Sequence, residues 1–409
     1  MSLPPGDSPD LDLVVATAEE LLAQQHVNSS EWRGALSLDA YLRREEHLFQ
    51  QDLTKNGGLT PWLLVHQPAG TPDQDRVVLC GCETIKKRAL VSANREVRDV
   101  VAHGVASVFC PAKYRGKGYA GRMIAELGER LKTWQNDERP SLFSVLYSDI
   151  GKVGSPRSLM FLFSLRSRSF PAQDFYAARG WHPFRSSHIS LDATKTPPST
   201  STAVQLLKAS DLAPLCEADE SFLKTHLAQS QKPTIALAPD AATLAWHHAR
   251  EEFVAKELFH RDPQVKGAIV GSEPGKRAWC IWTRVWTNPN EDDGNTLHIL
   301  RLVVEDGLTS EPNDFTPATE DGVARVKDSP AASAVAALFA EAQRQAAEWD
   351  MEVVEFWNPN AVALAAARRL DDGAMVHERE KASICSMRWY GEGDGRDVDW
   401  VCSEKYAWC

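Results

Sequence analysis

Cys110-Pro-Ala-Lys-Tyr-Arg-Gly-Lys-Gly-Tyr-Ala-Gly-Arg-Met123 closes an apolar run, Val101 to Phe109, and opens an amphipathic one. The spacing predicts a strand, a turn, and a helix whose first residues are glycine-rich and basic. Such a helix start has unpaired backbone N–H groups and the positive end of the helix dipole, so it suits a phosphate. Gly116 and Gly118 let the backbone approach an anion because no Cβ stands in the way. Arg115 and Lys117 add full positive charge. The stretch reads as a pyrophosphate cradle without the Gly-Lys-Ser/Thr of a P-loop.

Working outward, Ala120, Met123, Ile124, Leu127, Leu131 and Trp134 share one helical face. Ser141 to Tyr147, after Pro140, predicts a second strand. Asp174-Phe-Tyr-Ala-Ala-Arg-Gly-Trp181 predicts a short helix stopped by Gly180. Upstream, residues 11–26 and Leu36 to Gln50 predict helices. Trp62 to His66 and Val77 to Val91 predict strands, with Lys86-Lys87-Arg88 at a turn. His182 to Leu191 returns as a strand. The order ααββ, then βαβαβ, predicts an α/β fold with a mixed sheet covered by helices.

In that order, Arg115-x-x-Gly118-x-Ala120 resembles the acyl-CoA-binding signature of the GNAT acetyltransferase superfamily, Gln/Arg-x-x-Gly-x-Gly/Ala. Phe175-Tyr-x-x-x-Gly180-Trp181 resembles its Phe-Tyr-x-x-x-Gly-Phe segment. Ala102-His-Gly-Val-Ala-Ser-Val-Phe109, Leu146-Tyr-Ser-Asp-Ile-Gly151 and Gly57-Gly-Leu-Thr-x-Trp62 look like the fungal lysine N6-acetyltransferases of lysine catabolism. That resemblance covers most of residues 10–192 and continues more loosely to the C-terminus. It implies a GNAT fold and transfer of acetyl from acetyl-CoA to the side-chain amine of free L-lysine.

Acetyl transfer to an amine needs a neutral amine, a polarised thioester carbonyl and a proton for the departing thiolate. A lysine amine has an unperturbed pKa of about 10.4, so a base or water relay must take its proton. The resemblance implies that Arg115, Gly116, Lys117, Gly118, Tyr119 and Ala120 hold the pyrophosphate. It implies that the backbone of Val108, Phe109 and Cys110 meets the carbonyl and pairs with pantetheine. Tyr176 stands where the family's tyrosine meets the CoA sulfur, or is a core tyrosine with a satisfied hydroxyl. His103 titrates in the range of a general base, or is structural. Asp149 is its rival, for binding the lysine amine or relaying its proton. His247 and Glu251 stand four apart on a predicted helix, but no third ligand is near, so a solvated face and no metal are expected. Trp279, Trp282 and Trp286 alternate as core or interface residues.

At 409 residues the chain should hold two domains. Residues 11–193 are expected to form the catalytic domain, 194–203 a linker rich in Thr, Ser and Pro, and 204–409 a second, GNAT-like domain. The second is expected to lack CoA, because Glu305, Asp306, Glu311, Asp314, Glu320, Asp321 and Asp328 would repel a pyrophosphate; an unrelated α/β domain is the alternative. Val153 to Gln173 is anomalous: three arginines, no acid, and a bare apolar run, Leu159 to Phe163. It separates segments that sit close together in the resembled family. It reads as an in-frame retained intron or, alternatively, as a surface loop acting as a lid.

The net charge of −11 argues against broad nucleic-acid binding. No secretory signal opens the chain and no run approaches a membrane span. Eight scattered cysteines read as reduced intracellular thiols, which predicts a cytoplasmic protein. Alternatives for function are acetylation of a protein, peptide or other small amine, and a non-catalytic acyl-CoA-binding protein. Oligomeric state is left open.

Overall fold

The computed structural model describes residues 3–68, 72, 75–136, 138–149, 172–287, 294–309, 315–380 and 382–408. Its first half contains β1 (Leu11–Val15), α1 (Ala18–Trp32), α2 (Leu38–Phe49), β2 (Leu59–His66), β3 (Val77–Ala93), β4 (Glu96–Phe109), α3 (Tyr119–Arg130), β5 (Ser141–Ser148), α4 (Ala172–Ala177), β6 (His182–Pro183) and β7 (Ser187–Asp192). The second half contains β8 (Gln205–Leu207), α5 (Leu212–Leu227), β9 (Thr234–Leu237), α6 (Ala241–Phe259), β10 (Gly267–Val270), β11 (Ala278–Val285), β12 (Thr296–Val304), α7 (Glu320–Val326), α8 (Pro330–Glu348), β13 (Val353–Trp357), α9 (Ala361–Arg368), β14 (His377–Glu378), β15 (Ile384–Trp389) and β16 (Asp399–Trp400).

Two mixed sheets result. One runs β1-β2-β3-β4-β5-β15-β6, with β9 on β3 and β16 on β9; the other runs β14-β7-β13-β12-β11-β10-β8. The sheets share a core. Val100, Ala102, Phe143 and Val145 of the first pack in one cluster with Trp279, Ile281, Leu300, Val303 and Trp357 of the second. Each aliphatic side chain so buried contributes about 1.5–3 kcal/mol.

Each sheet takes strands from the other half of the chain: β9, β15 and β16 enter the first, and β7 enters the second. β15 lies between β5 and β6, and β7 lies between β13 and β14. The expected single strand from His182 to Leu191 is therefore two strands in two sheets. Residues 184–186 cross over at the break. There Cys385 N–H donates to Ser186 Oγ at 3.0 Å and Arg379 N–H donates to the Ser186 carbonyl at 2.7 Å. Residues 11–193 thus do not complete their own sheet.

Three other expectations change. Residues 11–15 form a strand rather than the start of a helix, because Leu11 and Leu13 alternate into the core beside β2. The helix waits for Thr17, which caps it with a complete capping box. Lys86-Lys87-Arg88 lies inside β3, and the turn comes at Asn94 and Arg95, both with left-handed φ. The basic side chains have partners in the second half: Lys87 Nζ donates to the Ala407 carbonyl at 3.0 Å, and Arg88 pairs with Glu220 at 2.9 Å. The proposed intron or lid, Val153 to Gln173, lies outside the described residues apart from Ala172 and Gln173, which open α4.

Candidate active site

β4 and β5 run parallel and pair from Val101 with Ser141 to Val105 with Leu146. Beyond that pair β4 goes on to Phe109 while β5, flanked by β15 from Phe143 to Ser148, ends at Ser148, so a cleft opens between them. At the same point β4 bulges. Ser107 and Val108 stand against the single residue Cys82 between the pairs Gly81–Phe109 and Glu83–Ala106. Ser107 has φ +53°, a conformation that a serine adopts at some cost and that re-aims the backbone.

The loop after β4 has the shape expected of an anion cradle. A short 3-10 turn at Ala112–Tyr114 leads to Arg115, whose Nε donates to the Cys110 carbonyl at 2.8 Å and closes the loop. Gly116 and Gly118 have φ of +76° and +87°, conformations that favour glycine. Gly118 is the N-cap of α3 and no side chain caps its first N–H groups. Gly116, Lys117 and Gly118 are exposed and no acid lies in the loop, so the residues fit a pyrophosphate. Gly116, Gly118 and Gly121 also have the Gly-x-Gly-x-x-Gly spacing. However, Gly121 serves packing: a Cβ there would meet Arg179 Nη2 at 2.3 Å.

Not every expected cradle residue faces the loop. Tyr119 is buried, and its hydroxyl donates to the carbonyl of Pro4, in an N-terminal arm that also bonds Gly6 N–H to the Lys117 carbonyl at 3.0 Å. Ala120 is half-buried against the core below. Phe109 and Cys110 are buried at the strand end and Val108 is half-buried. The Cys110 thiol is held below its ordinary range, chiefly by its hydrogen bond with Cys80.

Tyr176 is buried on α4 and packs edge-on against Phe175 at 5.0 Å. Burial, and then Cys82 and Asp149 nearby, hold its hydroxyl protonated well above the ordinary range. Asp149 is exposed just past β5, where Oδ1 accepts from the N–H of Ser383 at 2.7 Å.

His103 is not at the cleft. It is fully buried on the α3 side of β4, with Gln135 Oε1 and Ser141 Oγ each 3.3 Å from a ring nitrogen. Burial pushes its pKa down to about 4. An amine could meet it there only through the core, so the structure does not place it to act as a general base. Side chains alternate across a strand, and His103 points to the opposite face from Ala106.

Glu83, not among the candidates drawn from the sequence, is the carboxylate that faces the bulge. It stands half-buried on β3 across from Ala106, hydrogen-bonded to Ser107 at the bulge. Burial raises its pKa to about 7, Glu45 adds to the rise and Ser107 offsets part of it. Gln24 and Asn28 of α1 line the same recess. The Tyr41 hydroxyl of α2 donates to Asn28 at 3.1 Å and feels the charges of Glu45, Glu83, Arg44 and Arg250. The signal in the sequence was a lone carboxylate within the apolar run Val77 to Ile85.

His247 and Glu251 are both buried and separately engaged. His247 Nε2 lies 3.0 Å from the Tyr406 carbonyl, and Glu251 pairs with Lys266 and Arg284. Among the described residues no group of three or more His, Cys, Asp or Glu could hold a metal, and no helix is long and apolar enough to cross a membrane.

A splayed parallel strand pair, a bulge beside it and a basic glycine loop capping a helix define an N-acetyltransferase of the GNAT type, a class that uses acetyl-CoA. Residues 188–409 match the family described as the LYC1 GNAT-like C-terminal domain, more than half of the chain, and the protein belongs to that family. The chain is 24% identical over 303 residues, 66% of its length and 72% of the relative's, to a protein named lysine acetyltransferase from Yarrowia lipolytica (strain CLIB 122 / E 150). It is 22% identical over 313 residues, 67% of its length and 70% of the relative's, to the uncharacterized protein YGR111W of Saccharomyces cerevisiae. A solved structure from Enterococcus faecalis V583, described as a probable N-acyltransferase, shares the fold with a TM-score of 0.50 at 11% identity, covering 93% of this chain and 72% of that one.

Proposed function

We propose that the protein transfers acetyl from acetyl-CoA to the side-chain amine of free L-lysine, in lysine degradation in the cytoplasm. The observation that carries the choice of a small acceptor is the roof over the bulge. α1 and α2 cover it, and α6 of the second half is tied to α2 by the Arg43–Glu257 ion pair at 2.7 Å and by His47 against Phe253 at 5.6 Å. A roofed recess suits a free amino acid, whereas a protein chain needs an open groove.

In this reading the cradle residues Arg115 to Gly118 hold the pyrophosphate, and the β4 backbone at the bulge orients the thioester. Glu83 takes a proton from the lysine ammonium. The freed amine attacks the thioester carbonyl carbon, a C–N bond forms, and the C–S bond breaks with its electron pair on sulfur. Tyr176, kept protonated by burial, gives the sulfur its proton and regains one from the new amide nitrogen as it sheds its excess proton. Glu83 releases its proton to water. Acetyl-CoA and lysine ammonium become CoA, acetyl-lysine and one proton.

A CoA-release screen over amino acids, polyamines and a histone-like peptide tests the reading. L-lysine should be turned over best. Preference for the peptide would replace this function, and acetyl-CoA binding without turnover of any amine would make the protein a binding module.

A further inference from the structure

Beside the crossover of the exchanged strands lie two cationic side chains that make no hydrogen bond or ion pair with a described residue. All three guanidinium nitrogens of Arg379 are buried and donate to no hydrogen-bond partner among the described residues. The group lies flat-side over Trp357, 3.7 Å from the ring centroid. Lys405 is buried beside it, its Nζ 4.4 Å from the same ring and 4.3 Å from that of Trp408, and its side chain forms no hydrogen bond or ion pair with a described residue. Burial, and then the charges of Arg379 and Arg250, hold the Lys405 amine down to about 7. The acids near both are Asp149 and Glu355. Glu355 is engaged elsewhere, with Trp357 Nε1 at 2.5 Å and His298 at 3.6 Å, and Asp149 holds Ser383.

A buried guanidinium without hydrogen bonds is costly unless an anion completes it. A carboxylate matches its fork with two parallel bonds. We infer that Arg379, assisted by Lys405, binds the α-carboxylate of the acceptor amino acid. This rests on the proposed free-lysine function and deepens it. The carboxylate is held by the second half of the chain while the amine is presented to the bulge in the first. Specificity for a free amino acid over a bare amine or a peptide-linked lysine then lies in Arg379, since a peptide bond removes the carboxylate.

The test compares L-lysine with 1,5-diaminopentane, which has the same reactive amine and no carboxylate. In the wild type, lysine should be strongly preferred. Arg379→Gln should raise the KM for lysine by roughly 30-fold or more, the scale of a lost charged hydrogen bond, and leave diaminopentane turnover unchanged. Arg379→Lys should recover part of the loss. A folded Arg379→Gln variant with an unchanged preference overturns the anchor. Thermal shift with L-norleucine, which carries the carboxylate but no side-chain amine, separates this failure from that of the acetylation reading. Stabilisation of the wild type and not of Arg379→Gln supports the anchor even if neither amine is acetylated. No stabilisation of the wild type overturns it.

Discussion

Asp149 Oδ1, at the end of β5, accepts a 2.7 Å hydrogen bond from the backbone N–H of Ser383, which lies 234 residues later in the chain. The contact fixes the start of β15 where that strand enters the catalytic sheet. A residue singled out for the acceptor site is therefore also a junction between the two halves. The cleft owes its far wall to the last part of the chain, since Ile384 pairs with Ser148 and Trp389 with Phe143.

A chain ending at Thr194 is expected to be insoluble or unfolded, because β5 loses β15, and β7 loses β13. Co-expression with residues 195–409 should restore a soluble complex, seen as one peak in size-exclusion chromatography. A well-folded 1–194 chain that binds acetyl-CoA would show the exchanged strand to be dispensable.

Gly118→Val places a β-branched residue at φ +87°, at a cost of about 1–3 kcal/mol locally. The substituted loop should relax away from the cradle geometry. Calorimetric titration should then show acetyl-CoA binding abolished while the melting temperature falls by only a few degrees. Unchanged affinity would remove this loop from the cofactor site.

Tyr176→Phe keeps the ring packing with Phe175 and removes the proton donor. Turnover should fall by about 10- to 100-fold, in the lower range typical of lost acid catalysis, with acetyl-CoA affinity unchanged. Full activity would leave the tyrosine with a packing role.

As the proposed base, Glu83 must be ionised to take a proton. With its pKa raised to about 7, kcat/KM should climb as pH rises from 6 to 8. In Glu83→Gln that limb should vanish and turnover should fall, while circular dichroism stays unchanged. An intact limb in the variant would assign the titration to another group.

His103 and His248 are buried, each with its pKa depressed to about 4 by burial. In the unfolded chain they titrate near 6.5. The unfolded state therefore binds more protons between these values. The stability these groups contribute is complete above about pH 6.5 and is lost as pH falls through 4, by about 1.4 kcal/mol per pH unit for each. Urea unfolding of the wild type should show this slope. In His103→Gln the slope should be smaller by one histidine's share; an identical slope would mean that His103 is protonated in the fold.

The sequence by itself determined the local devices: the strand, glycine loop and helix of the cradle, the cap of α3 at Gly118, and the stop at Gly180. Each is set by residues a few positions apart, through φ preferences, helix spacing and unpaired N–H groups. The order of those devices was enough to reveal the GNAT class. Only the tertiary structure decided which strands pair. An apolar strand such as Ile384 to Trp389 carries no label for its neighbour, and its place beside β5 follows from the core that Cys385 and Met387 share with Phe143 and Val145. The same holds for the site. His103 and Glu83 are both polar residues within apolar strands, and which one meets the cleft depends on sheet register and on which helices cover each face. Arg379 and Lys405, far along the chain, become neighbours over Trp357 only when the halves exchange strands.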